Sequence, residues 1–127
     1  MARRRRATIL GSMLSKLILV VLVIIIGTVL YMRFSAVRVS GSDARNLVAK
    51  GATLLDVRSS QEFSSGHIDG AVSISVQELA GRLDELGDKN GAIVVYCQSG
   101  SRSAMAKRLL ESNGFTNVHD MGGIGQW

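Results

Sequence analysis

The 127 residues include no proline, one cysteine and one tryptophan. Without proline the chain lacks its strongest breakers of helix and strand, so glycine has to supply the punctuation. A solitary cysteine excludes an intramolecular disulfide framework. Two isolated histidines beside that one cysteine do not make a metal site. Three Phe, two Tyr and one Trp are too few for a platform that stacks bases. Acidic residues are absent from residues 1–38, which carry seven basic side chains. Residues 39–127 hold eight basic and all ten acidic ones, a formal charge of −2. The overall +5 thus belongs to a tail, and no nucleic-acid partner is expected for the globular part.

What the first third does contain is an uncharged apolar run over residues 17–32, between Lys16 and Arg33. As a helix its 16 residues span about 24 Å, somewhat short of a ~30 Å hydrocarbon core. Snorkelling of Lys16 extends the usable segment back through Met13 and Leu14, and Tyr31 suits the far interface. The run is apolar on every face and flanked by cations, so it reads as a transmembrane helix in contact with the lipid bilayer, not a core helix. Arg3, Arg4, Arg5, Arg6 and Lys16 precede it, against Arg33 and Arg38 after it. The positive-inside rule then places the N-terminus in the cytoplasm and the C-terminal domain on the extracytoplasmic, periplasmic side. A cleavable signal peptide is the competing reading. The run exceeds a usual h-region, however, and neither Ala36 nor Gly41 marks a clear cleavage site. The expected organisation is a basic tail (1–16), a membrane helix (17–32), a linker (33–41) and one domain (42–127).

Within that domain, Ser42 or Asp43 is placed to cap a helix over 44–50, ended by Gly51. Residues 53–57 read as a buried strand, and 68–74 as a second. Leu79, Leu83 and Leu86 share one face of an expected helix over 77–86. Asn90-Gly91 turns into a fully apolar strand that ends at Tyr96. A helix over 104–110, capped by Ser103, and a short last strand over 115–119 follow. Strands alternating with helices predict an α/β domain with a mainly parallel sheet, whose ligands gather at the carboxyl ends of strands.

Cys97 follows such an end. The loop Cys97-Gln98-Ser99-Gly100-Ser101-Arg102-Ser103 carries it to the start of a helix, where main-chain N–H groups converge and the helix dipole is positive. Both effects favour thiolate, and Arg102 adds a full charge. Cysteines so placed have pKa values lowered from about 8.5 into a range of roughly 3.5–7.5. The polar, small neighbours Gln98, Ser99, Gly100 and Ser101 weigh against an inert core thiol.

Together with Leu55-Asp56-Val57-Arg58, Glu62-Phe63, Gly66-His67-Ile68-Asp69-Gly70-Ala71 and Gly122-Gly123-Ile124-Gly125-Gln126-Trp127, this loop resembles the rhodanese-like (sulfurtransferase) domain family. The pieces occur in family order across nearly all of residues 42–127. The resemblance implies a rhodanese-type α/β fold and a cysteine that carries sulfur as a persulfide. It makes Cys97 the implied nucleophile and residues 97–102 the anion-cradling loop, with Arg102 at the basic position of the C-x-x-G-x-R form. Many relatives continue past the Gly-Gly…Trp motif into a terminal helix, where this sequence stops at Trp127.

The expected activity is two-step sulfur transfer. The donor is anionic, such as thiosulfate, or a persulfide; the acceptor is a thiol, cyanide or a protein. Gln98, Ser99, Gly100, Ser101 and Arg102 bind the donor, and no metal or organic cofactor is needed. Asp56 and Arg58 either line the pocket or support it, Arg58 pairing with Glu62 or Asp56. His67 reads as structural, Gly122-Gly123 as a tight turn and Trp127 as a packing residue. One alternative is a non-enzymatic sulfur carrier. Another is phosphatase or arsenate reductase chemistry, disfavoured because Cys97 and Arg102 enclose four residues where cysteine phosphatases enclose five.

Overall fold

A computed structural model of the protein describes residues 2–35 and 37–127. Met1 and Ala36 lie outside the described residues, as do the side chains of residues 2–7, 34 and 35; the expected basic cluster of Arg3, Arg4, Arg5 and Arg6 and part of the expected linker fall there. The chain divides into two compact units, Met1–Phe34 and Ser35–Trp127.

The first unit is one helix, α1 (Ala2–Ser35). Its stretch Thr8–Arg33 is long and apolar enough to cross a membrane. At 1.5 Å per residue those 26 residues span about 39 Å. The Thr28 hydroxyl donates back to the carbonyls of Ile24 and Ile25 at 3.0 and 2.8 Å, so this polar group inside the apolar stretch is satisfied within its own helix.

The second unit is built on a four-stranded sheet of β1 (Thr53–Asp56), β2 (Val72–Ser73), β3 (Ile93–Cys97) and β4 (Val118–Gly123). The strands are parallel and lie in the order β2-β1-β3-β4, which makes β1 and β3 central. Every residue of β3 is buried, as its unbroken apolar run requires in a sheet covered on both faces. Alternate side chains sort to the two sides. Leu55, Val57, Ile93, Val95 and Cys97 join the core with Ala106 and Leu110 of helix α4 (Ser101–Ser112). Leu54, Val94 and Tyr96 face the other way, toward Ala44 and Leu47 of helix α2 (Gly41–Ala49). The single-turn helix α3 (Ser60–Ser64) is closed by a reciprocal capping box between Ser59 and Glu62. This is the α/β architecture the alternating pattern implies.

Local departures have identifiable causes. The segment expected to be a helix over 77–86 is two 3₁₀ turns, Leu79–Gly81 and Leu83–Leu86, separated by Arg82 at φ −129°. Gly81 weakens helix propagation by about 1 kcal/mol relative to Ala, yet Leu79 and Leu86 still reach the core. The strand expected over 68–74 shrinks to Val72–Ser73, because Gly70 at φ +83° turns the chain just before it. The last strand lies further on than 115–119, at Val118–Gly123; it takes in Gly122-Gly123, which were read as a turn. Ser40, not Ser42 or Asp43, caps α2 by accepting the Asp43 N–H at 3.1 Å.

Candidate active site

β3 ends on Cys97, whose strand partner is Gly123. The chain then turns through Gln98, Ser99 and Gly100 into α4. Gly100 makes the turn, with φ +105°, a conformation that side chains resist. A Cβ on Gly100 would also displace the Arg38 guanidinium that lies against it. One on Gly123 would come within 2.7 Å of the Gln98 carbonyl; glycine there lets the end of β4 close against the loop. Because the helix begins at Ser101, Gly100 is its N-cap residue, and Ser103, read from sequence as the cap, lies inside the first turn. Ser103 is buried and its hydroxyl donates to the Gly100 carbonyl at 3.0 Å, fixing the loop to the helix.

The Gly100 N–H donates to Cys97 Sγ at 2.9 Å. Cys97 is fully buried and its side chain shares the core on the α4 side of the sheet. Burial pushes the thiol up, but the Ser103 N–H and hydroxyl and the N–H groups of Gly100 and Ser99 act together against it and carry the thiol below its ordinary value. Fixed amide dipoles thus favour a thiolate where desolvation alone would forbid one.

Three arginines stand around this loop, each facing a carboxylate. Arg58, just past β1, is buried and grips Asp56, with Nη2 2.8 Å from Oδ2 and Nε 3.1 Å from both carboxylate oxygens. Its remaining donors reach Gln98 Oε1 at 3.1 Å and the Gly66 carbonyl at 2.7 Å. Arg58 therefore ties the active loop to the Gly66-His67 turn, and its acid is Asp56. Glu62, the other expected partner, instead takes Arg102 in a two-pronged pair at 2.7 and 3.0 Å. The Arg102 guanidinium beside Glu62, opposed in part by desolvation and aided by the Ser59 N–H and hydroxyl, holds that carboxyl down at about 2. The third arginine, Arg38, lies against Gly100 and Gly122, with Nε 3.9 Å from Asp120 Oδ2. Asp120 is buried; Oδ1 accepts the Gly122 N–H at 2.8 Å.

Tyr96 precedes the cysteine on the opposite face of the sheet. Its hydroxyl accepts the Ile68 N–H at 3.2 Å, while burial and the Asp56 carboxylate push the phenol up to about 12. It is a neutral strut between β3 and the Gly66-His67 turn. His67 stacks on Phe63 and shares a hydrogen bond between Nδ1 and the Phe63 carbonyl, in line with its structural reading. An open surface pocket of about 450 Å³ lies beside the loop, its lining including Arg58, Ser59, Glu62, Gly66 and Gln98. Sequence reasoning missed the Glu62–Arg102 and Arg38–Asp120 pairs. Nothing in the sequence signals either pair, because the partners lie on distant segments that only the packed fold brings together.

Residues 40–127 match the rhodanese-like domain family. The chain is 35% identical over 71 residues to the thiosulfate sulfurtransferase PspE of Escherichia coli (strain K12), an alignment covering 55% of this chain and 68% of that protein. It is 33% identical over 91 residues to the thiosulfate sulfurtransferase GlpE of Pseudomonas entomophila (strain L48), covering 71% and 83%. Among solved structures, the human single-domain sulfurtransferase TSTD1 has a TM-score of 0.63 at 33% identity, over 71% of this chain and 90% of that one.

Proposed function

This chain belongs to the rhodanese-like domain family, and on that footing we propose that it is a membrane-anchored sulfurtransferase working through a persulfide on Cys97. The observation that carries the reading is the amide cradle: a buried sulfur at a strand end, held by the Gly100 N–H at 2.9 Å and biased toward thiolate.

In the first half-reaction the thiolate attacks the outer sulfur of the donor. With thiosulfate, the new Cys97 Sγ–S bond forms as the donor's S–S bond breaks, and sulfite leaves with the bonding pair. The product is an anionic persulfide, which the same N–H groups accommodate as they did the thiolate. In the second half-reaction an acceptor nucleophile takes the outer sulfur and the Cys97 thiolate returns; cyanide leaves as thiocyanate. No redox partner is consumed. Ser99, Gly100 and Ser103 form the cradle, Gln98 is held by Arg58, and Ser101 and Arg102 serve the anionic donor, Arg102 by its positive charge. Asp56 and Arg58 act as supports beneath the loop. A four-residue spacing between Cys97 and Arg102 gives a tighter loop than phosphate requires. The stretch Thr8–Arg33 anchors the domain to a bilayer, with the domain on the extracytoplasmic side.

The test is thiocyanate formation from thiosulfate and cyanide by the full chain in detergent. Wild type turns over and Cys97→Ser does not, because a serine oxygen cannot hold a persulfide. Turnover by the Ser variant at even about a tenth of the wild-type rate removes Cys97 from the reaction. Hydrolysis of aryl phosphates by the wild type, lost in Cys97→Ser, selects the phosphatase reading instead.

A further inference from the structure

Among the described residues, the arginines touching the loop and its flanks are Arg38, Arg58 and Arg102, and each is matched by an acid. Each guanidinium near the loop is thus offset by a carboxylate, loosely so for Arg38 and closely for Arg58 and Arg102. The three acids differ in one respect. Asp56 and Asp120 are buried, whereas the Glu62 side chain is about one-third exposed and lines the open pocket beside the loop. Glu62–Arg102 is thus the pair with both side chains near the loop and both partly open to solvent, the one a donor is able to open.

We propose that Glu62 is a specificity-determining residue: by holding Arg102 it biases the site against dianionic donors such as thiosulfate and toward sulfane-sulfur donors of lower charge. This rests on the sulfur-transfer reading of Cys97. A dianion gains from Arg102 only after displacing Glu62, and it then lies beside a displaced carboxylate. Like charges at such separations repel appreciably in a site with restricted water. A singly charged or neutral donor needs only the amide cradle, which is already formed around the sulfur. While it holds Arg102, the Glu62 carboxyl stays ionised, because the guanidinium beside it holds its pKa down at about 2. Nor is it free to swing far. Ser59 holds it in the capping box, with Oε1 3.3 Å from the Ser59 N–H and 3.1 Å from the Ser59 hydroxyl.

Thiosulfate and methanethiosulfonate separate charge from chemistry. Both present a terminal sulfane sulfur to the thiolate; the leaving groups are sulfite and methanesulfinate, and the first donor is a dianion, the second a monoanion. In each case the Cys97 thiolate gains the outer sulfur, the donor S–S bond breaks and its electron pair leaves with the sulfinic or sulfurous oxyanion. With cyanide as acceptor, wild-type kcat/KM favours methanethiosulfonate by roughly tenfold after correction for the reactivity of each donor with free cysteine. Glu62→Gln keeps a side chain able to close the capping box while removing the charge. It raises kcat/KM for thiosulfate by roughly tenfold and that for methanethiosulfonate by less than about threefold. A corrected wild-type preference for thiosulfate overturns the role of Glu62 whether or not the variant folds. So does a Glu62→Gln variant that changes both donors equally or loses thiosulfate activity, the pattern of a residue that merely positions Arg102. Intact mass of the wild type after each donor distinguishes the two levels: if neither donor adds a sulfur atom at Cys97, the sulfur-transfer reading itself fails, and this inference with it.

Discussion

The Gly100 N–H points at Cys97 Sγ from 2.9 Å, so the residue that turns the loop is also the one that holds its sulfur. That coupling arises because Gly100 is the N-cap of α4 in a left-handed conformation, which aims its amide back toward the end of β3. The sulfur's charge state and the loop's backbone shape are one property.

An ultraviolet titration of the thiolate reads the first consequence. The difference signal between wild type and Cys97→Ser has its midpoint below that of free cysteine, because the loop donors outweigh burial. The sign for stability follows from a folded-state pKa lower than the unfolded one. The thiolate's contribution is present above the ordinary thiol range and is lost as pH falls through the folded value. A midpoint at or above that of free cysteine contradicts the role given to the loop donors.

Gly100→Ala tests the shape. A Cβ at φ +105° is strained by at least about 1–2 kcal/mol, and it meets the Arg38 guanidinium as well. The expected outcome is a lower urea midpoint, slower sulfur transfer and a Cys97 titration moved upward. An Ala variant with unchanged titration and unchanged stability shows that the loop does not need this conformation.

Arg58→Ala leaves the fully buried Asp56 carboxylate without its cation and Gln98 without its tether. Removing one partner of a buried pair destabilises by about 3–5 kcal/mol. Denaturant unfolding measures it, and a loss below about 1 kcal/mol shows that the pair is dispensable.

Much of this site is contiguous in sequence, and that part was legible. Strand β3, the polar loop and the start of α4 follow one another within a few residues, so burial pattern and loop chemistry both pointed to Cys97. The fold class was legible for a similar reason, since alternating apolar runs and helical spacing are local signals. Leu79, Leu83 and Leu86 show where that reading stops. Their spacing marked the buried side correctly, but 3₁₀ and α-helical turns place such residues alike, and Gly81 decided the backbone. Ser103 was misplaced by one turn because a glycine N-cap leaves no side-chain signature. The pairing of Arg102 with Glu62 rather than with solvent or donor was illegible, as was that of Arg38 with Asp120. Salt bridges between distant segments have no period, and only the packed sheet brings those groups together.

Topology decides which sulfur pool the domain meets. Arg3, Arg4, Arg5, Arg6 and Lys16 lie before the apolar stretch, Arg33 and Arg38 after it. With Thr8–Arg33 as the proposed anchor, the charge bias predicts a C-terminal unit outside the cytoplasm. A C-terminal reporter active only after export reads positive in a bacterial host, with protease access in intact spheroplasts as the control. Moving the four N-terminal arginines beyond residue 33 shifts the balance the other way. A cytoplasmic reading from the native sequence contradicts the orientation and assigns the thiol to a reducing compartment.

Intact mass of the full chain after exposure to a sulfane-sulfur donor addresses the Cys97 persulfide most directly. Thiosulfate and methanethiosulfonate are tested separately, excess donor is removed, and the protein is weighed before and after cyanide. The predicted result is one added sulfur atom, located on the peptide that contains Cys97, absent from Cys97→Ser, and released by cyanide as an equal amount of thiocyanate. A wild-type mass unchanged by either donor, or sulfur that stays bound after cyanide, contradicts a persulfide carrier at Cys97.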